Sequence, residues 1–321
     1  MKLIFLLIIL IISGCVYDIT GNVVKEIVEK PLVFFCPYDP CEDLLIGYIN
    51  NSDKSVHCAL FDIDLENVLK TLSEKSKEID IKVVIDNTNF DKKMSGRGII
   101  KDTSSQLTHN KFCVFDNKIL WTGSFNPTNN GAYKNNNNVI IIESRNLANN
   151  YELEFNELWN YNFGKGHKTV EPIVYLNNKK YENYFCPEDN CKQHVLDILE
   201  KATQSIYFMI FSFTDFDIVE LLALKKRAGL DVKGVLESKR TNMQYNQYNN
   251  LVMNGIIVKK DTNPYTMHHK VFIIDNKTVI TGSYNPTKSA NTKNDENILI
   301  IHNREIAQKY LEEFDSLFIT S

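Results

Sequence analysis

The sequence predicts an α/β fold made of two fused, pseudo-symmetric domains. Residues 109–159 align with residues 268–318 without a gap and share 22 identities in 51 positions, which indicates an internal duplication. Strand-like apolar runs and helix-like runs alternate in the same order in both halves, as in layered α/β proteins. The chain has 321 residues, of which 43% are apolar and 24% charged, an ordinary globular composition with room for two cores.

Each half begins with the same series of elements. A strand-like stretch carries a loop with two cysteines, and a short helix, a strongly apolar strand, a second helix and another strand follow it. The second helix has apolar residues at helical spacing, and Gly229 is well placed to end it in the second half. The predicted ranges are 42–49, 56–63, 65–72 and 81–85 in the first half and 192–202, 206–213, 218–224 and 232–236 in the second.

The N-terminus predicts a targeting segment. Lys2 precedes an apolar run over residues 3–12, which is shorter than the ~20 residues that span a bilayer and is typical of a signal peptide. Residues 12–15 also resemble a lipobox, in which Cys15 is acylated; plain secretion, with Cys15 incidental, is the alternative. We therefore expect a membrane-anchored lipoprotein or a secreted protein, outside the cytoplasm. The expected segments are a signal peptide (1–14), a tether (15–31), the first domain (32–162), a linker with a leading strand (163–182) and the second domain (183–321).

Export changes what the cysteines indicate. Two loops share the pattern Cys-x4-Cys, and in an oxidising compartment each predicts a short disulfide, with a four-cysteine zinc site built from both loops as the alternative. The expected pairs are Cys36–Cys41 and Cys186–Cys191. Cys58 and Cys113 lie in apolar strand-like runs, and we expect them to be small core residues.

One motif occurs once in each half, with the form H-x-K-x4-D-x6-G-S-x-N. Residues two apart in a strand face the same way, so the His and the Lys at the start of a strand project together. The Asp-Asn-Lys that follows predicts a tight hairpin turn, and the return strand brings Gly-Ser-x-Asn back beside the His. The candidate residues are His109, Lys111, Asp116, Ser124 and Asn126 in the first copy and His268, Lys270, Asp275, Ser283 and Asn285 in the second.

The convergence of an imidazole, an ammonium, a hydroxyl and an amide suits a phosphoryl group. A single copy could be a surface hairpin, but two copies with identical downstream spacing argue against that interpretation. His269 takes the place of Asn110 between the motif His and Lys, where we expect it to face away from the site and support it. A two-histidine metal site is not expected there, because adjacent strand residues point to opposite faces.

The duplicated motif resembles the HKD motif of the phospholipase D superfamily. The resemblance covers nearly the whole chain after the signal peptide, and it implies two α/β/α sandwich domains with the active site at their pseudo-two-fold interface. It also implies a two-step hydrolysis without metal or cofactor. His109 would attack phosphorus to form a phosphohistidine, and His268 would protonate the leaving oxygen and then activate water. The resemblance also assigns roles to the other motif residues. The phosphoryl oxygens would be held by Lys111, Lys270, Asn126 and Asn285. Assistance from the same turns would come from Ser124 and Ser283, and the catalytic group would include Asp116 and Asp275.

The substrate is less closely defined than the chemistry. The compact halves resemble the small endonuclease and cardiolipin-hydrolase-like branch, so the phosphodiester substrate is expected to be a nucleic acid or a phospholipid. With 36 basic and 40 acidic residues, the chain offers no broadly basic surface for nucleic acid, whereas the lipid anchor favours a lipid. The alternatives are a phosphatidyltransferase of the cardiolipin-synthase type and a catalytically silent phosphate-binding protein. Because both motifs are in one chain, we expect a monomer.

The two halves differ in chemistry eleven residues after the motif Asn, where the second half has Glu296 and the first half has Asn137. In the small-nuclease branch a Glu at this position contacts a catalytic imidazole, so the resemblance assigns Glu296 to orienting one of the two histidines. A carboxylate raises the pKa of a neighbouring imidazole, and we expect the histidine in contact with Glu296 to be the more basic. Asn137 lies in an Asn-rich run over residues 126–138 and is expected to be a loop residue.

Overall fold

The structure is a computed structural model, and it describes residues 24–91 and 98–321. The predicted signal peptide and Cys15 lie outside these residues. Two β-sheets, one for each half, pack against helices, which confirms the α/β class and the two-domain architecture. Across the described ranges, no helix is both long enough and apolar enough to cross a membrane.

Within its described residues, the first half provides eight strands and four helices. The strands are β1 (Val24–Glu26), β2 (Leu32–Cys36), β3 (Ser55–Leu60), β4 (Asp80–Ile85), β5 (Ile99–Lys101), β6 (Lys111–Phe115), β7 (Ile119–Gly123) and β8 (Asn137–Glu143). The helices are α1 (Cys41–Asn50), α2 (Glu66–Lys75), α3 (Asn129–Tyr133) and α4 (Arg145–Trp159). Seven of these strands form one sheet in the order β2-β8-β7-β6-β3-β4-β5, with β3, β4 and β5 parallel and the other neighbours antiparallel.

The second half repeats this arrangement and adds to it. Its strands are β9 (Ile173–Leu176), β10 (Lys179–Cys186), β11 (Ser205–Ile210), β12 (Asp231–Leu236), β13 (Ile257–Lys260), β14 (Lys270–Ile274), β15 (Thr278–Gly282) and β16 (Glu296–His302). Its helices are α5 (Cys191–Glu200), α6 (Phe216–Arg227), α7 (Tyr248–Met253), α8 (Lys288–Thr292) and α9 (Arg304–Thr320). The order β10-β16-β15-β14-β11-β12-β13 matches the first sheet, and β9 and β1 extend it at the β10 edge. Part of the predicted tether thus forms a strand, and β10 begins inside the predicted linker.

The turns follow from the sequence. Asp116 and Asn117 both have positive φ, at 54° and 49°, as the two-residue hairpin between β6 and β7 requires. The hairpin between β14 and β15 has the same conformation at Asp275 and Asn276. Gly229 follows the end of α6 with φ of 93°, a conformation that a side chain would strain. The predicted hairpins and this helix end are therefore confirmed.

One apolar cluster joins the two halves, and each half also has a cluster of its own. Tyr151 and Phe155 on α4, and Tyr310 and Phe314 on α9, are buried in a cluster that draws residues from both sheets. Two short parallel bridges also cross between the halves, one between Thr108 and Asp295 and one between Asn136 and Met267. Because these bridges end one residue before each motif histidine, they fix the two motifs relative to each other.

Six of the cysteines in the described ranges form three disulfides. The two loop disulfides, Cys36–Cys41 and Cys186–Cys191, are confirmed, so those cysteines are not free to hold zinc. Cys58 and Cys113 are buried core residues, as expected, but they also form a third disulfide that was not predicted. They lie directly opposite each other on β3 and β6, with their Cα atoms 4.1 Å apart. The pairing depends on the register of two strands far apart in the chain, which the sequence alone did not reveal.

Candidate active site

Each motif histidine is anchored to the opposite half. The His109 backbone N–H donates to the Asp295 carbonyl at 2.9 Å, and the His268 N–H donates to the Asn136 carbonyl at the same distance. Lys111 and Lys270 follow as the first residues of β6 and β14. The two motifs therefore meet at the interface between the halves.

His109 contacts a carboxylate from the second half. Its Nδ1 lies 2.7 Å from Oε2 of Glu296, the first residue of β16, and the same oxygen accepts a hydrogen bond from the Ser283 hydroxyl at 2.7 Å. Glu296 is 1% exposed. When Glu296 is ionised, Oε2 is an acceptor, so the Nδ1 of His109 carries the proton and Nε2 keeps its lone pair.

His268 contacts an amide from the first half. Its Nδ1 lies 3.0 Å from both Asn137 Oδ1 and the Ser124 carbonyl oxygen, and the Ser124 hydroxyl donates to Asn137 Oδ1 at 3.1 Å. Asn137 is buried and is the first residue of β8, so the prediction that it is a loop residue is wrong. The two histidines thus have geometrically equivalent partners that differ in charge.

Both motif lysines are buried beside their own histidines. The Nζ atoms of Lys111 and Lys270 donate to the backbone carbonyls of His109 and His268 at 2.6 and 2.7 Å. Burial lowers the pKa of Lys111 to about 7, and burial together with the charge of Lys111 lowers the pKa of Lys270 well below its usual value. Each ammonium also lies over an aromatic ring, Lys111 over Phe61 and Lys270 over Phe211, which sequence reasoning did not assign to the site.

The electrostatics of the histidines differ from the expectation. Burial and the ammonium groups of Lys111 and Lys270 lower the pKa of both His109 and His268 well below the ordinary value. Burial also raises the pKa of Glu296 to about 8. Glu296 therefore does not raise the pKa of His109 above that of a free imidazole, and which histidine is the more basic stays a prediction.

The lowered lysine pKa gives a testable pH dependence for anion binding. Lys111 is an ammonium below about pH 7 and loses its charge as the pH rises through that value. We expect sulfate, which stays doubly ionised over this range, to inhibit less well above about pH 7, by up to ~10-fold per pH unit. The inhibition constant measured between about pH 6 and 9 tests this, and a pH-independent constant would contradict it. The Lys111→Met variant should bind sulfate weakly throughout.

The serines and the asparagines of the motifs differ in what their side chains contact. The Ser124 and Ser283 hydroxyls are fully buried and engaged by Asn137 and Glu296, so any assistance they give passes through the histidine partners. Asn285 Oδ1 accepts the Ser212 N–H at 3.2 Å, which leaves its Nδ2 as a donor for a phosphoryl oxygen. Its counterpart Asn126 has a buried Oδ1 without a partner in the described structure.

Asp116 and Asp275 are not brought to the site, which corrects their assignment to the catalytic group. Each lies at the far end of its five-residue strand, ~16 Å along the chain from the motif lysine. The Asp116 carboxylate accepts the backbone N–H groups of three residues that lead into β3, and Asp275 does the same before β11. These hydrogen bonds hold the hairpin turns and lower both carboxyl pKa values. The motif Asp is therefore structural.

The Asp116→Asn substitution should separate stability from turnover. Asn tolerates the positive φ but loses the charge and one acceptor oxygen, so we expect a loss of about 1–2 kcal/mol of stability. Turnover should stay within ~3-fold of wild type. Thermal unfolding and steady-state kinetics measure the two effects, with the exposed Asp53→Asn as a control. A large loss of turnover at unchanged stability would restore Asp116 to the catalytic group.

The residues between each motif His and Lys face away from the site, as expected. Asn138 Nδ2 lies 3.1 Å from His269 Nδ1, and Asn297 Nδ2 donates to Asn110 Oδ1 at 2.7 Å. His269 is fully buried, and its Nε2 lies 3.2 Å from Glu313. Each pair joins the two halves behind the site. Asn138 and Asn297 were missed at the sequence level, although their matched positions after Asn137 and Glu296 could have revealed them.

One group of carboxylates in the described structure could hold a cation. Glu154 and Glu157 on α4 and Glu188 in the second cysteine loop have ligand atoms within 4.8 Å of one another. Burial raises the pKa of Glu188 to about 7, so protons can neutralise this group. None of these residues belongs to either motif.

Comparison with known proteins identifies the family. The family model for the cardiolipin synthase, PLD-like domain, matches residues 45–159 and again residues 195–318. The chain belongs to this phospholipase D-like family. A phospholipase D of Rickettsia prowazekii is 34% identical over 149 residues, which cover 46% of this chain and 73% of the relative. The mitochondrial cardiolipin hydrolase of Homo sapiens is 31% identical over 130 residues, 40% of this chain and 52% of the relative.

A solved structure extends the similarity to most of the phospholipase D-like chain. The phosphatidylserine synthase of Haemophilus influenzae superposes with a TM-score of 0.68 over 89% of this chain and 86% of its own. At 13% sequence identity this similarity shows the fold alone. It confirms the bilobal α/β architecture, because the superposition spans both halves.

Proposed function

We propose that this phospholipase D-like protein hydrolyses phosphodiester bonds through a phosphohistidine on His109. The observation that carries the proposal is the meeting of two motif histidines at one interface with unlike partners, the carboxylate of Glu296 and the amide of Asn137. A carboxylate stabilises the positive charge that an imidazole acquires when Nε2 bonds to phosphorus. An amide orients the other ring without that charge, which suits a residue that gives and takes protons.

These groups can account for every bond and proton in the two steps of the reaction. In the first step, Nε2 of His109 bonds to phosphorus while the bond from phosphorus to the leaving oxygen breaks, and that oxygen takes a proton from His268. In the second, His268 removes a proton from water, the water oxygen bonds to phosphorus, and the bond to His109 breaks. Lys111 and Lys270 meet the charge on the phosphoryl oxygens, and the bound anion in turn favours the charged forms of both lysines and of His268, which donates the proton in the first step.

The substrate we propose is a nucleic acid or a phospholipid. The names of the rickettsial phospholipase D and the human cardiolipin hydrolase support a phospholipid as the first class to test. The acylated Cys15 that we propose would hold the site near a lipid surface. An alcohol in place of water would make the same site a transferase, and product analysis with added glycerol or serine distinguishes the two reactions.

We expect phosphodiester hydrolysis to survive EDTA with less than ~2-fold loss. Lys111 and Lys270 supply the positive charge that a metal ion supplies in other phosphodiesterases. The test incubates the protein with bis(p-nitrophenyl) phosphate, single-stranded DNA, RNA and phospholipid vesicles, with and without chelator. Activity lost to EDTA and restored by zinc or magnesium would contradict the mechanism. Hydrolysis of none of these substrates would favour a phosphate-binding protein.

A further inference from the structure

The entrance to the site differs between the two halves. Strands β4 and β12 are each followed by an acidic residue, Asp86 and Glu237. Each of these carboxylates accepts a hydrogen bond from the backbone N–H of the residue just before a motif histidine: Asp86 accepts from Thr108, and Glu237 accepts from Met267. Three residues beyond these acids, the first half has Asn89 and the second half has Arg240. The second half therefore places a cation where the first half has an amide.

Arg240 lies against the ring that borders His268. Its guanidinium carbon is 4.4 Å from the centre of the Phe211 ring, and the same ring lies 4.8 Å from the His268 ring centre and 4.8 Å from Lys270 Nζ. Asn89, in contrast, donates to the Phe61 carbonyl oxygen at 2.8 Å. The positive charge of Arg240 also contributes to the lowered pKa of Lys270, which places the guanidinium within electrostatic range of the motif.

The position of Arg240 is fixed by its neighbours. It belongs to a short 3-10 helix, Ser238–Arg240, and the adjacent Lys239 donates through Nζ to the carbonyl oxygens of Pro264 and Tyr265. These contacts tie the helix to the segment that leads into His268. The guanidinium itself donates to the sulfur of Met243 at 3.2 Å and, among the described residues, forms no salt bridge with a carboxylate. A half-buried arginine without an acidic partner retains donors for an anionic ligand.

The cations of the site are not equally paired with carboxylates. Glu296, Asp86 and Asp62 lie within electrostatic range of Lys111, and Glu296 also lies within range of Lys270. Arg240 forms no salt bridge among the described residues, so its charge remains for an anionic group of the substrate. In an in-line displacement the attacking and leaving atoms lie on opposite sides of phosphorus. With His109 as the nucleophile, the leaving group lies on the His268 side, where Arg240 is.

We propose that Arg240 binds a second phosphate carried by the leaving group of the substrate. The inference rests on the proposed function and assigns it a specificity: a phosphodiester whose departing alcohol carries another phosphate. Both an oligonucleotide and a diphosphate lipid such as cardiolipin have this chemistry. Among the residues that the structure describes, Asn89 offers no equivalent cation on the His109 side, so the preference applies to one side of the scissile bond.

The test compares substrates with one and two phosphates. The nucleotide set is the thymidine dinucleotide TpT and its forms with an added 5′- or 3′-phosphate; the lipid pair is phosphatidylglycerol and cardiolipin in otherwise identical vesicles. Wild type should prefer a two-phosphate member, and Arg240→Gln should lower kcat/KM for that member by ~10- to 100-fold. Arg240→Gln should change kcat/KM for the one-phosphate members and for bis(p-nitrophenyl) phosphate by less than ~3-fold.

The controls separate the possible causes. Arg227→Gln removes the same charge from the exposed end of α6, at the opposite end of β12. This variant should leave the ratio of kcat/KM between two-phosphate and one-phosphate substrates unchanged. Arg240→Lys should retain part of the preference, because it keeps the charge and loses the two-pronged geometry. A loss confined to the nucleotide set identifies a polynucleotide substrate, and one confined to the lipid pair identifies a lipid.

Two outcomes would overturn the inference. If wild type hydrolyses bis(p-nitrophenyl) phosphate without preferring any two-phosphate substrate, or if Arg240→Gln lowers all rates equally, the inference fails while the proposed function stands. If wild type hydrolyses no phosphodiester, the proposed function fails and the inference fails with it.

Discussion

His109→Asn is expected to lower the turnover of bis(p-nitrophenyl) phosphate by about 10⁴-fold or more, because it removes the atom that bonds to phosphorus. His268→Asn should act differently on the same substrate. The p-nitrophenolate leaving group needs no proton, so the first step should still proceed and the second, which needs a base for water, should stall. A burst of p-nitrophenolate and an accumulating covalent adduct are therefore expected for His268→Asn alone.

Intact-protein mass spectrometry at neutral or alkaline pH, where a phosphohistidine survives, measures the adduct, and peptide mapping locates it. Thermal unfolding of both variants controls for misfolding, since His109 is buried and His268 half-buried against the opposite half. An adduct on His268 in the His109→Asn protein would reverse the two roles. The absence of any adduct in the His268→Asn protein, with normal folding, would count against a covalent intermediate.

The fold was largely predictable because it repeats. Matching the two copies of each half predicted the first helices and strands, the motif strands and the Asp-Asn hairpins, and the positive φ of Asp116 and Asp275 follows from that turn type. The partner of Cys58 was not predictable, because a disulfide across two central strands requires their register.

The sequence predicted which residues form the site better than it predicted the role of each residue. Period-two alternation places His109 beside Lys111, and the resemblance supplied Glu296. The strand that begins at the motif Lys places the motif Asp at its far end, away from the His and the Lys. The HKD motif groups the three residues together although the Asp lies apart from the other two. Asn137 was misread because a run of asparagines is typical of loops, whereas its burial depends on contacts with His268 from the other half.

Glu296→Gln is expected to lower turnover by about 10²–10⁴-fold, whereas Asn137→Ala should cost only ~3- to 10-fold. Glutamine keeps the shape of the side chain but removes the charge that stabilises a phosphorylated, cationic His109. Asn137→Ala removes only neutral hydrogen bonds, with His268, the Ser124 hydroxyl and the Gly131 carbonyl oxygen. The Ser124 carbonyl oxygen, also 3.0 Å from Nδ1, still holds the His268 ring. Steady-state kinetics of the two variants on one substrate, with thermal unfolding as the folding control, measures the difference.

The pH profile distinguishes a charge effect from a loss of structure. Burial raises the pKa of Glu296 to about 8, so its carboxylate form is lost as the pH falls through that value. In wild type kcat/KM should therefore rise with pH up to about 7, because the carboxylate is the form that accepts the Nδ1 proton of His109, and should level off between about 7 and 8, where Lys111 loses its charge. This rising limb should disappear in Glu296→Gln and persist in Asn137→Ala. Equal losses in both variants, with unchanged pH profiles, would mean that the carboxylate and the amide orient their histidines alike and that the halves are chemically equivalent.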